Sequence, residues 1–92
     1  MNIEFSYQDT PIYEKPACFY STKFPNVTFQ IGDVLYLDEF EELLEVGEIY
    51  MPDRNQEYIG FNMIDYLSQV KAIQHAYNDE LGYILLVSLV NI

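Results

Sequence analysis

Residues Lys71–Val90, KAIQHAYNDELGYILLVSLV, decide the fold. Ile73, His75 and Tyr77 alternate with Ala72, Gln74 and Ala76, the two-residue period of a strand. The alternative is a helix that starts near Asn62 and runs on to Tyr77. Asn78 to Gly82 is rich in Asn, Asp and Gly and predicts a turn. Tyr83 to Val90 is the most strand-like run of the chain and pairs with the preceding strand as a hairpin. It is apolar on both faces, which suits a central strand or an interface. An exposed apolar strand is an aggregation hazard, so helices or a second copy of the chain are expected to cover it.

Working outward, Ile3, Phe5 and Tyr7 alternate with Asn2, Glu4 and Ser6, predicting a half-buried strand over Met1–Tyr7. Gln8–Pro16 carries Pro11 and Pro16 and reads as a loop. Strands are expected at Ala17–Thr22 and Val27–Ile31, with a bend at Gly32-Asp33 and extended chain to Leu37. The period then becomes about 3.6. Asp38 can cap a helix with Glu41 in the reciprocal position; Phe40, Leu43 and Leu44 form its apolar stripe, and Gly47 suits its C-terminal cap. Glu48–Met51 reads as a short strand and Pro52–Gln56 as a polar turn. A second helix is expected from Asn62, with Met63, Ile64, Leu67 and Val70 inward. No repeat, low-complexity segment or linker is visible. The expectation is a single α+β domain over residues 1–92. It would have about five to six mostly antiparallel strands, able to form a partly open barrel, with one or two short helices.

The chain has 92 residues, 15 acids, four bases and a formal net charge of −11. Half the residues are apolar and 15 are Phe or Tyr, too apolar for a disordered acidic tail. The acids are therefore displayed on a folded body. Nine of them fall between Asp33 and Glu57. Concentrated charge repels itself in the compact state and invites a cationic partner. It also disfavours direct binding to nucleic acid or anionic lipid. The single Cys18 excludes an internal disulfide and suits a thiol-reducing, cytoplasmic setting. No signal peptide is visible, and no apolar run is long enough to span a bilayer.

Catalysis is hard to assemble from these residues. Cys18 would need His75, the one histidine, as its base, and lone Cys and His residues are far more often ordinary core or surface residues. There is no serine elbow, no phosphate-binding glycine loop and no zinc or calcium spacing. No catalytic residue, metal site or cofactor is assigned.

The carboxylates of Asp38, Glu41, Glu42, Glu45 and Glu48 are the candidate partner-binding residues, with Tyr36 and Tyr50 as anchors. The bland reading of such acids is a solvated face that keeps a small protein soluble. The sharper reading is a non-enzymatic interaction protein that inhibits a basic, nucleic-acid-acting partner by offering carboxylates where phosphates would bind. Small acidic inhibitors of phages and bacterial immunity systems share this size and charge, a likeness of composition and not of motif. The alternative is a structural module that homodimerises through its apolar C-terminal strand.

Overall fold

In the computed structural model, residues 1–7, 15–53, 55–61 and 67–92 are described. Six strands make one sheet: β1 (Ile3–Tyr7), β2 (Ala17–Ser21), β3 (Val34–Leu35), β4 (Glu45–Val46), β5 (Ser68–Asn78) and β6 (Gly82–Asn91). Their order is β3-β5-β6-β1-β2-β4, curled into a half-barrel. The β1–β6 pair is parallel and the other described pairs are antiparallel. One short 3₁₀ helix (Leu37–Leu43) completes the α+β architecture.

The β5–β6 hairpin forms because strand alternation on both sides meets a turn that satisfies its own backbone. Asn78 Oδ1 accepts the N–H of Glu80 at 2.8 Å and of Leu81 at 3.2 Å. Gly82 follows at φ 75°, a left-handed conformation that costs glycine little. β6 lies between β5 and β1, so both of its edges are hydrogen-bonded.

The central register explains the core. Ile3 lies beside Leu85 and Ser21, Phe5 beside Val87 and Phe19, and Tyr7 beside Leu89 and Ala17. All nine are buried, because these odd positions share one face of the pleat. Phe24 and Phe29 meet the Phe5 ring edge-on at 5.5 and 5.9 Å, and Phe61 stacks on Phe19 at 5.5 Å. Leu37 and Leu44 close the same core.

β5 contains a bulge at Lys71, where the register shifts between Val70 and Ala72. Val70 faces the core opposite Leu89, and after the bulge Ile73 does so opposite Val87. One extra residue moves the inward set from even to odd positions. That shift reconciles a buried Val70 with the Ile73–His75–Tyr77 alternation.

Several expectations need correction. The strand expected at Val27–Ile31 is irregular chain. Only Phe29 packs inward there, while Val27 is 41% and Ile31 70% exposed. The expected α-helix from Asp38 is a 3₁₀ helix. Tyr36 stands at its N-cap position and no side chain caps it, so Asp38 lies inside the helix. Three residues per turn put half-buried Phe40 and Leu43 in one row with buried Leu37. Gly47 ends no helix; it follows β4. Glu48–Met51 is not a strand, because the N–H groups of Ile49 and Tyr50 turn to a side chain. Ser68–Val70 begins β5 and is not helical. The loop expected over Gln8–Pro16 and the helix expected from Asn62 fall largely outside the described residues, at 8–14 and 62–66.

Candidate functional site

The 3₁₀ helix displays the acids. Its inward row uses every third position, which leaves two outward ridges, Asp38 with Glu41 and Glu39 with Glu42. All four are exposed, as is Glu45 on the edge strand β4. Tyr36, at the helix entrance, is 45% exposed. Two neighbours moderate this rim. The Tyr20 hydroxyl, cross-strand from Glu45, bonds its carboxylate, and that bond first, with burial second, raises the phenol above its ordinary range. Lys23 lines a small cleft with Glu42 and Glu45 and places one cation beside the acids. Lys15 pairs instead with Glu57, at 2.7 Å and in solvent, where the pair adds little. That contact holds Glu57 below the usual carboxylate range, chiefly through the hydrogen bond from Lys15.

Glu48 and Tyr50 part company with the rim. Glu48 is half-buried against the other face of the sheet, where it joins Glu4 of β1 and Cys18 of β2. One ligand atom from each of the three lies within 4.8 Å of the others. Glu4 is 8% exposed and Cys18 4%. The Glu4 carboxylate accepts the backbone N–H of Ile49 at 2.8 Å and of Tyr50 at 3.2 Å, so it fastens a strap, residues 48–53 and 55–58, across this face. Tyr50 is half-buried by the same contact. The Tyr58 hydroxyl, shielded from solvent, lies beside Glu48 and is pushed up to about 12 by burial first and then by the charges of Glu48, Cys18 and Glu4. Tyr58, which follows the acidic segment in sequence, therefore points inward.

The strap leaves a cavity of about 350 Å³ with Ser6, Gln56, Gln74 and Ser88 also on its wall. Two carboxylates and a thiol are donor types that a divalent cation accepts. Glu4 meanwhile has an evident structural task. Sequence reading missed this grouping. Its one signal was a charged residue on the polar side of an alternating strand, and nothing in β1 tells whether that face is wet or covered.

The Cys–His pairing is closed by parity. Cys18 lies in register with Ser6 and Ser88, and His75 with Leu85 and Ile3, so the two occupy opposite faces. His75 is exposed, stacks on Tyr83 with ring centres 5.6 Å apart, and shares a 2.6 Å hydrogen bond between its Nδ1 and the Tyr83 hydroxyl. No described helix is long and apolar enough to cross a membrane. No protein-family model matches the chain, and no curated protein or solved structure matches it either.

Proposed function

We propose that the chain is a non-enzymatic interaction domain whose acidic rim, Asp38 to Glu45, docks on a cationic protein surface that otherwise receives nucleic-acid phosphates. The support is the exposed carboxylate double ridge on the 3₁₀ helix. Its charge density can be compared with that of DNA. Residues 38–42 cover roughly 10 Å of axis at about 2.0 Å per residue. Four carboxylates on that length amount to about one charge per 2.5 Å, against about 3.4 Å per charge along one DNA strand. A groove lined with Lys and Arg meets a comparable field from either. Asp38, Glu41, Glu42, Glu45 and Tyr36 are the contact residues of this reading; Glu48 and Tyr50, turned toward the strap, are not.

Long-range attraction of this kind speeds encounter and is weakened by salt. The test is affinity capture from the native host, and from any host it infects, at low and high salt, with the triple variant Glu41→Lys, Glu42→Lys, Glu45→Lys beside the wild type. Capture of a basic nucleic-acid-acting protein that salt releases and the variant loses supports the proposal. A partner held equally by both proteins, with no salt slope, removes it.

A further inference from the structure

We infer that the uncovered edge of β5, residues 72–78, is where a second copy of this chain docks, the two β5 strands pairing antiparallel about a two-fold axis at His75. The observation is an unfinished sheet. β3 pairs only with Gln69 and Ser68, and Gly32 and Asp33 bond both backbone groups of Val70. From Ala72 to Asn78 no described strand or loop hydrogen-bonds the side of β5 that faces away from β6. The other edge strand, β4, is two residues long, and β3 is equally short.

Open edges are commonly blunted by charge, proline or a bulge. Here the bulge and Lys71 stand at one end only. Residues 72–78 hold no proline and no permanent charge, and Tyr77 within them is 76% exposed. Seven residues at about 3.3 Å each give roughly 23 Å of strand, a full-length β pairing.

The ends choose the partner. Exposed Lys71 sits just before the open run, and exposed Asp79 and Glu80 sit just after it. In an antiparallel pair centred on His75, Lys71 of each copy comes opposite Asp79 of the other, and Ile73 opposite Tyr77. Two-fold symmetry makes each favourable pair occur twice. The charge of −11 on each body opposes association, but Glu45 and the rest of β4 lie at the far end of the sheet. Four strand spacings of about 4.8 Å separate β4 from β5, roughly 19 Å along the sheet. Salt screens the remaining repulsion, with a Debye length of about 8 Å at physiological ionic strength. The inference stands apart from the proposed function, since the rim and the β5 edge share no residue.

The test is sedimentation velocity with light scattering from about 10 μM to about 1 mM chain, a range that brackets a weak dimer. The expected result is a mass that rises toward two chains, with a dissociation constant raised at least ~10-fold by Tyr77→Lys, which puts a charge opposite the apolar Ile73 of the other copy. Lys71→Glu should weaken the dimer similarly, and Lys71→Glu combined with Asp79→Lys should restore it. The three substituted positions, Lys71, Tyr77 and Asp79, are exposed, and circular dichroism verifies that each variant keeps the sheet. A single-chain mass at the highest concentration overturns the inference. So does a dimer that neither single substitution moves, and so does a double variant no tighter than Lys71→Glu alone.

Discussion

The Glu4 carboxylate accepts the backbone N–H of Ile49 at 2.8 Å across a sequence separation of 45 residues. A buried carboxyl group on β1 thereby replaces the ladder that Glu48–Met51 does not form, and the 3.2 Å bond from Tyr50 completes the attachment. Glu4→Ala removes two hydrogen bonds and strands two donors under the strap. The expected loss is about 2–4 kcal/mol in urea denaturation. Glu4→Gln, which retains an acceptor, should lose less. Equal losses for both would show that charge, and not the hydrogen bond, matters there.

Phe5 is fully buried, meeting Phe24 and Phe29 on one side and Phe19 in the adjacent strand. Phe5→Ala is expected to cost about 3–5 kcal/mol through lost transfer energy and a residual cavity. Small domains are stable by only about 5–15 kcal/mol, so this variant should have a greatly lowered melting temperature. Thermal unfolding followed by circular dichroism measures it. A shift of a degree or two would contradict the packing described.

Tyr58 makes a prediction at high pH. Its folded value is near 12, above the ordinary 10.0. The folded chain therefore holds this proton where the unfolded chain has lost it, and the unfolded state binds fewer protons. Stability contributed by the neutral phenol is complete below pH 10 and is lost as pH rises toward 12. Tyr7 and Tyr20 are raised as well, Tyr7 mainly by burial and Tyr20 mainly by its bond with Glu45, and they add to the slope. Urea denaturation at several pH values from 9 upward should therefore show a shallower decline for Tyr58→Phe than for the wild type. Identical slopes would place the Tyr58 hydroxyl in solvent.

Cys18 should be a slow thiol. It is buried beneath the strap and stands beside carboxylates, whose field disfavours a thiolate. Alkylation at neutral pH is expected to run at least ~100-fold slower in native protein than in urea, because reaction waits for local opening. Glu4→Ala, by loosening the strap, should accelerate it. Fast labelling of the native chain would mean that the strap does not hold this face closed.

The elements that were legible in the sequence carry their pattern within a few residues. Alternation in β1 and β5, the apolar run of β6 and the Asn78–Gly82 turn are local signals, so the hairpin and the α+β class follow from them. The acidic rim was half legible. Any short helix with Leu37, Phe40 and Leu43 inward turns Asp38, Glu41 and Glu42 outward, whether it has 3.0 or 3.6 residues per turn. The fate of Glu48 was not legible, because its neighbours Glu4 and Cys18 are distant in sequence and reach it only when β1 and β2 pair.

The sequence by itself determined that this chain is a small acidic sheet protein with a β5–β6 hairpin, since apolar periodicity and turn chemistry are properties of neighbouring residues. Tertiary structure alone decided which face of each strand is covered. It placed β6 inside the sheet, sent Glu48 inward while Glu45 stayed out, put Cys18 and His75 on opposite sides, and left the outer edge of β5 over residues 72–78 unpaired among the described residues. The physical reason is that strand pairing and burial are set by contacts between segments far apart in the chain, and a strand's own sequence does not say what will lie against it.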